Sequence, residues 1–327
     1  MVLERVVQDY PRTLLELERR FATEEACREY LARLRWPQGF ACPSCAGVKA
    51  WPTKRGLWMC AACGHQASPT AGTIFQDTRT PLMLWFRAIW WVTSQKNGAS
   101  ALGLQRVLGL GSYRTAWTWL HKLRRAMIRP GRDRLSDGVE VDETFVGGLD
   151  PGGGRRHIGK KALVVVAAEI RGRAIGRIRL RRVPDSSGGS LLPFIQDAIA
   201  PGALIVTDGL QTYRGLPDLG YRHDRRVLLG SGESAEAVLP RVHRVASLLK
   251  RWLLGTHQGA VSGAHLDYYL DEYAFRFNRR TARHRGLLFY RLLEHAVSVD
   301  PVPYASMVKG VRGRQKKRRG SRQAGLE

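Results

Sequence analysis

The amino-acid sequence predicts an α/β protein in which helices and a cysteine-rich segment precede a domain of strands and helices. Apolar residues recur at helical spacing over 1–36 and 81–129, four cysteines occur as two close pairs between these ranges, and strand-like patterns begin at Gly138. The chain has 327 residues, of which 44% are hydrophobic. It is therefore long and apolar enough for two or three compact units, one with a full core.

The chain is strongly basic. It contains 53 Lys and Arg residues against 28 Asp and Glu residues, a formal net charge of +25 at pH 7. Such a charge attracts polyanions, and because the cations are spread through folded segments, it favours nucleic acid over an acidic membrane. The start of the chain lacks the apolar core of a signal peptide, and the most hydrophobic stretch, 81–92, is too short to span a bilayer. We therefore expect no membrane segment.

Two pairs of cysteines, each separated by two residues, predict a zinc ribbon over 37–75. The four residues are Cys42, Cys45, Cys60 and Cys63. Four thiolates about 2.3 Å from the ion complete a closed tetrahedral shell, so the zinc is structural. Gly47 and Gly64 follow the two pairs, where we expect turns with positive φ. The alternatives are disulfides or unrelated buried cysteines, but so few cysteines, mostly in close pairs, suit a reduced cytosolic protein with a metal site. Cys27 is assigned to a helix core, and His65 is not needed as a ligand.

Three helical segments are predicted over 81–129, with breaks at Asn97-Gly98 and at 108–112. Ser112 is expected to cap the last helix, which buries a stripe formed by Ala116, Leu120, Leu123 and Met127. The opposite side carries a second stripe, Arg114, Thr118, Lys122 and Arg125, which predicts DNA contacts from a helix-turn-helix region over 76–130. The alternative is an ordinary surface helix with a solvated charged face.

From Gly138 onward the patterns are those of an α/β domain. Strands are predicted over 139–146, 163–168, 177–181 and 203–207, with a glycine-rich loop after the first, and helices over 191–200, 240–254 and 264–279. The order of three strands, a helix, another strand and further helices is that of a ribonuclease-H-like domain. We place this domain at 137–300, between the helical regions and a basic tail at 301–327.

Four residues of this domain could form one catalytic site. Asp142 lies within a strand, and Asp208 directly follows the short apolar strand 203–207. His243 and Lys250 are seven residues apart on one predicted helix, so they share a face about 10 Å apart along its axis. Carboxylates are the ligands that hold Mg²⁺ or Mn²⁺ for phosphodiester chemistry, so we expect Asp142 and Asp208 to bind such ions and Lys250 to hold a phosphate or a terminal base nearby. Each aspartate taken alone could instead be a turn or capping residue.

Over residues 22 to about 285 the sequence resembles the zinc-ribbon-bearing DDE transposases of bacterial insertion sequences, the ISXO-type group. The matching segments include ATEEACREYLARLRWPQGFACPSC, VEVDETFVGG, VTDG and LPRVHRVASLLKRWLLGTHQGAVSGAHLDYYLDEYAFRFNRR. The resemblance implies a ribonuclease-H-like fold, recognition of terminal inverted repeats, and Mg²⁺-dependent strand cleavage and transfer. It also implies a homodimer or larger assembly on paired DNA ends, and a cytoplasmic, nucleoid-associated protein. The family's first two catalytic aspartates correspond to Asp142 and Asp208.

The third catalytic position departs from the family. Where relatives carry a glutamate seven residues before the lysine, this chain has His243. A neutral imidazole is a softer ligand without charge, so it would hold one ion more weakly and favour Mn²⁺. Glu233 or Glu236, just upstream, could supply a replacement carboxylate.

Two basic segments follow the catalytic helix. Arg276, Arg279 and Arg280 lie beside Phe275 and Phe277, and cations next to aromatic rings suit frayed or single-stranded DNA ends. Packing of the aromatic rings in the core is the competing interpretation. In the tail, 309–322 carries eight Lys or Arg, which predicts phosphate contacts, although a solvated disordered tail fits equally.

Three other functions fit parts of the pattern. A non-catalytic DNA-binding regulator would use the ribbon and helices alone, with structural aspartates. An inactive transposase copy would explain the histidine in place of glutamate. A ribonuclease-H-like nuclease would cut nucleic acid without joining it to a target.

Overall fold

A computed structural model describes residues 9–129, 131–147, 161–227, 235–258 and 261–309. The chain divides into two compact units. The first unit comprises Met1–Ser94, Gln105–Arg132 and His284–Glu327, and the second comprises Gln95–Leu104 and Asp133–Arg283. Within the described ranges, no helix is long and apolar enough to cross a membrane. The predicted glycine-rich loop and most of the basic tail lie outside these ranges.

The helices and strands follow the predicted order. The described helices are α1 (Leu14–Arg20), α2 (Glu24–Arg35), α3 (Leu82–Ser94), α4 (Ala101–Leu108), α5 (Tyr113–Ala126), α6 (Gly188–Ala198), α7 (Ala235–Val238), α8 (Pro240–His257), α9 (Leu266–Asn278), α10 (Arg285–Ala296) and α11 (Tyr304–Val308). The described strands are β1 (Ala50–Pro52), β2 (Trp58–Cys60), β3 (Gln66–Ala67), β4 (Gly138–Val146), β5 (Ala162–Arg171), β6 (Ala174–Val183), β7 (Leu204–Thr207) and β8 (Arg222–Arg225).

Side-chain caps fix the beginnings of two helices in the first unit. The Thr23 hydroxyl accepts a hydrogen bond from the backbone N–H of Ala26 and so caps the start of α2. The Ser112 hydroxyl likewise accepts from the N–H of Thr115, as predicted for α5. Unsatisfied N–H groups at a helix start need such acceptors, so these two polar residues define where the helices begin.

Aromatic rings form much of the core of the first unit. Phe21 contacts the rings of Phe86 and Phe289, at centroid distances of 4.7 and 6.0 Å, and these rings come from three separate parts of the chain. Trp85 of α3 stacks on Trp119 of α5 at 3.9 Å. Helix α10, which the sequence analysis did not predict, packs against α2, α3 and α5.

In the second unit, a five-stranded mixed sheet has the order β6-β5-β4-β7-β8. Strands β4, β5 and β6 are antiparallel neighbours, whereas β7 runs parallel to both β4 and β8. The first four of these strands were predicted, and β8 was not. The architecture is therefore mixed α/β, as expected.

The two faces of this sheet bury different helices. Val139 and Val141 of β4 belong to a core with Leu191 and Ile195 of α6. The opposite face packs against α8 and α9 through residues such as Val166, in β5. Since side chains alternate along a strand, Glu140 and Asp142 face the side of α8.

Candidate active site and metal centre

The four predicted zinc ligands meet at one point. Cys42 Sγ lies 3.7 Å from Cys63 Sγ, and Cys45 Sγ lies 3.6 Å from Cys60 Sγ. Among the described residues, these cysteines are the only group of three or more His, Cys, Asp or Glu side chains whose ligand atoms all lie within 4.8 Å of one another. Sulfurs at these separations fit a tetrahedral zinc shell with no open position.

The backbone around the cysteines explains the glycines nearby. Gly64 has φ +69°, as predicted, but after the first pair the positive φ falls on Ala46, at 62°, and not on Gly47. Gly47 is needed for a different reason. A Cβ on it would lie 3.2 Å from Cys60 Sγ and 3.3 Å from Cys45 Sγ, so a side chain would crowd the sulfur cluster.

Backbone N–H groups also favour the charged form of one ligand. Hydrogen bonds from the N–H groups of Cys63 and Ala62 lower the pKa of Cys60 to about 7. Because zinc binds thiolates and not thiols, a sulfur already surrounded by N–H donors suits the metal.

The two predicted catalytic aspartates come from neighbouring parallel strands, Asp142 within β4 and Asp208 directly after β7. Strand β4 pairs with β7 in a register that matches Val139 with Ile205 and Glu140 with Val206. Asp142 lies two residues beyond Glu140 in β4, and Asp208 directly follows the end of β7, so both lie toward the same end of the two paired strands. Burial, with a smaller contribution from the charge of Asp208, raises the pKa of Asp142.

His243 reaches the same site from α8. Its Nε2 atom lies 3.5 Å from Asp142 Oδ2, and the side chains are 27% and 17% exposed, so solvent still reaches them. Lys250 follows two turns later on α8, where partial burial and the neighbouring charge of Lys161 lower its pKa. A second cation beside Lys250 favours an anionic ligand at this end of the site.

Burial and repulsion between neighbouring carboxylates raise the pKa values of two acidic side chains at this site. Burial raises the pKa of Asp142 to about 6, with Asp208 adding to the rise and His243 opposing it. Burial also raises the pKa of the adjacent Glu143 to about 7, although the Tyr213 hydroxyl donates a hydrogen bond to its carboxylate. Asp142 Oδ2 and His243 Nε2, 3.5 Å apart at a half-buried position, can supply two ligands to a divalent cation, and Asp208 is the candidate for a third.

Sequence reasoning missed the residue that positions α8. The side chain of Glu140 is 3% exposed and accepts hydrogen bonds from the backbone N–H groups of Arg241 and Val242, at 2.7 and 3.0 Å. Its other oxygen accepts from the Arg241 guanidinium at 2.6 Å. A buried carboxylate at the first turn stabilises the helix start and fixes it against β4. Since Glu140 precedes Asp142 by two residues on the same strand, the two face α8 together.

The alternative carboxylates cannot be placed. Glu233 lies outside the described residues. Glu236 is in α7, but its side chain also lies outside what the structure describes.

The predicted DNA-contacting stripe on α5 is only partly exposed to solvent. Arg114 is exposed, and Thr118 and Lys122 are half-buried. Arg125 is 5% exposed, and both α10 and α11 pack on α5. A DNA contact requires exposure that Arg125 lacks, so the prediction of a DNA contact is wrong for this residue.

The predicted arginine cluster is largely used inside the second unit. Arg276 forms a 2.8 Å ion pair with the buried Glu272. Arg279 stacks on the Phe275 ring at 4.1 Å, and Arg280 stacks on Phe277 at the same distance. These contacts favour the competing interpretation, in which the arginines and aromatic rings support the fold.

Comparison with known proteins gives two domain matches in the predicted order. Residues 22–66 match the transposase zinc-ribbon domain, and residues 134–278 match the ISXO2-like transposase domain. An uncharacterized protein in transposable element ISH50 of Halobacterium salinarum is 26% identical over 287 residues, covering 81% of this chain and 94% of that protein.

Proposed function

Since the chain belongs to the zinc-ribbon-bearing, ISXO2-like transposases, we propose that it binds the terminal inverted repeats of an insertion sequence. We further propose that it catalyses metal-dependent cleavage and strand transfer of those DNA ends. The observation that carries the catalytic part is the parallel pairing of β4 with β7, which supports a site formed by Asp142 of β4 and Asp208 directly after β7, with His243 Nε2 3.5 Å from Asp142 Oδ2. The family implies that this sheet belongs to a ribonuclease-H-like domain.

Each site residue has a role that its position supports. Asp142 and Asp208 would hold Mg²⁺ or Mn²⁺, which when bound supplies positive charge to the attacking and leaving oxygens of a phosphodiester. His243 would take the third ligand position, where an imidazole nitrogen favours Mn²⁺ over Mg²⁺. Lys250, on the exposed side of α8, would hold a phosphate of the strand being cut.

DNA binding is proposed from the first unit and from charge. The zinc ribbon, the α4–α5 region as a helix-turn-helix, and the basic tail would grip duplex DNA, since a net charge of +25 attracts phosphates. Arg114, Thr118 and Lys122 are the α5 contacts that exposure supports. We also propose that the protein acts as a homodimer or larger assembly on paired ends, in the cytoplasm and associated with the nucleoid.

The test is a cleavage and joining assay with the full chain, element-end DNA and either Mg²⁺ or Mn²⁺. We expect 3′-hydroxyl ends that become joined to a target. Asp142→Asn and Asp208→Asn should each keep end binding and lose cleavage, whereas Asp197→Asn, an exposed carboxylate on α6, should change neither. Unchanged cleavage in both site variants would refute the assignment.

Other products distinguish the remaining functions. Binding without cleavage under all conditions indicates a regulator or an inactive copy, and cleavage without joining indicates a nuclease. The variant His243→Glu should keep or increase cleavage and relax the preference for Mn²⁺. If it abolishes cleavage, His243 does not hold the third ligand position.

A further inference from the structure

A cavity of about 320 Å³ opens in the first unit beside α5. Three cations, Arg79, Arg114 and Lys122, line it together with hydroxyl groups of the 78–80 segment, and the stacked rings of Trp85 and Trp119 also line it. Its volume is at the lower end of the range for small-molecule sites. The cavity therefore has room for one small polar group and a lining that favours an anion.

The walls of the cavity change how α5 can meet DNA. Tyr304, the first residue of α11, lines one side and carries the Arg114 guanidinium 3.9 Å above its ring. Residues 78–80 line it as well, so Thr118 and Lys122 face a recess and not an open surface. A helix that reads base edges must enter the major groove with its side chains projecting outward. A walled recess does not permit this, but it can receive a group that projects from the DNA.

The charge and hydrogen bonding of the cavity lining indicate which kind of chemical group it binds. One carboxylate, Asp77, stands among the three cations of the lining, so the cavity keeps an excess of positive charge. Burial lowers the pKa of Lys122 and Asp77 opposes that effect, as expected for a half-buried ammonium with incomplete compensation. Trp85 Nε1 donates to Thr78 Oγ1 at 2.9 Å, and the Thr78 hydroxyl donates in turn to the Thr80 carbonyl at 3.4 Å, so the donors offered to a ligand are those of the three cations. Cationic donors with net positive charge suit an oxyanion.

We propose that this cavity binds one backbone phosphate of the DNA, so that this face of α5 positions the duplex and does not read its bases. The inference rests on the proposed function, because DNA supplies the phosphate. It also refines that function, because sequence recognition must then come from other surfaces. Phosphate contacts set register and orientation and carry no direct sequence information.

The test compares binding of the full chain to an element-end duplex and to an unrelated duplex of equal length, over a series of salt concentrations. Lys122→Gln should weaken binding to both duplexes by the same factor, roughly tenfold. The slope of log affinity against log salt should become shallower by about 0.9. Lys122→Arg should retain most of the affinity. Arg19→Gln is the matched control, since it removes one exposed cation of α1 that does not line the cavity.

The outcomes separate this inference from the function on which it rests. If wild type binds neither duplex, the proposed DNA binding fails, and the phosphate site fails with it. If wild type binds but Lys122→Gln weakens the element-end duplex alone, the residue reads bases and the inference is wrong. An unchanged affinity and salt slope would also overturn it. Arg79→Gln, on the exposed wall, should repeat the Lys122→Gln pattern without a change in melting temperature, which guards against misfolding.

Discussion

Burial of the Asp142 carboxylate in the candidate active site lowers the free energy of unfolding at high pH, and this cost can be measured as a change of stability with pH. Asp142 has a pKa of about 6 in the folded protein against an ordinary value of 3.8, mainly because it is buried. A carboxyl whose pKa is raised by folding stabilises the fold below its unfolded pKa, and that contribution is lost as pH rises through the folded pKa. Without divalent cations, the second unit should therefore lose stability between about pH 4 and pH 7, by about 3 kcal/mol at about 1.4 kcal/mol per pH unit.

Asp142→Asn removes this cost while keeping the shape of the side chain. The amide oxygen can still accept the 2.8 Å hydrogen bond from the Glu143 N–H. We expect the variant to match wild type near pH 4 and to exceed it by about 1 to 3 kcal/mol at pH 8. The lower part of that range allows for solvent that reaches the site. Urea unfolding followed over this pH range, without chelators so that the ribbon keeps its zinc, provides the measurement.

Added Mn²⁺ gives the complementary result. Wild type should gain stability with increasing Mn²⁺ at pH 8, since an ion that binds the folded state alone stabilises it by mass action. Asp142→Asn should gain much less, and Asp197→Asn should behave as wild type. An Asp142→Asn protein that is less stable than wild type at pH 8, or that responds equally to Mn²⁺, would refute the reasoning.

Three further predictions concern the scaffold. Gly98→Ala should cost about 1 to 3 kcal/mol of unfolding free energy by urea titration, because Gly98 has φ +89° and a Cβ would lie 2.9 Å from Glu272 Oε1. The control Gly215→Ala, whose Cβ would lie in open space, should cost under about 1 kcal/mol, and equal losses in the two variants would contradict this prediction. Glu140→Gln should cost about 2 to 4 kcal/mol of unfolding free energy by the same measurement, because an amide weakens the charged cap of α8. It should also reduce Mn²⁺ binding measured by calorimetry, and a variant as stable as wild type would exclude a capping role for Glu140. Cys42→Ser should remove bound zinc, measured by elemental analysis, and lower the melting temperature of the first unit; retained zinc would contradict four-sulfur ligation.

Most elements with a strong hydrophobic period could be predicted from sequence, although α10 was missed, and strand β8, which has no such period, could not. Strand β7 could be predicted because it is a continuous apolar run, and the strand containing Asp142 because apolar and polar residues alternate along its first half. Strand β8 has the sequence RHDR and sits at the sheet edge, where polar residues remain solvated, so no pattern marked it. Helix α10 did carry a signal, since Leu288, Phe289 and Leu292 have helical spacing and are buried.

The residues of the candidate site could be proposed from sequence, but those that support it could not. Asp142 was proposed from its place within a strand, Asp208 from the end of another and His243 from a helix face, and the structure brings Asp142 Oδ2 and His243 Nε2 to 3.5 Å. The burial of Arg125 could not be predicted, because it depends on helices that arrive from distant parts of the chain. The 2.8 Å pairing of Arg276 with Glu272, four residues apart on one helix, follows a local rule that the cluster of arginines obscured.

The link from Glu140 to the start of α8 bears on how such a site can change over evolutionary time. Strand β4 carries both Asp142, a proposed metal ligand, and Glu140, the carboxylate that anchors α8, so main-chain geometry sets the distance between that aspartate and the helix. The chemical identity of the helix-borne ligand is then free to vary without displacing the helix itself. A histidine in place of an acid would alter which ion is preferred while leaving the framework of the pocket intact.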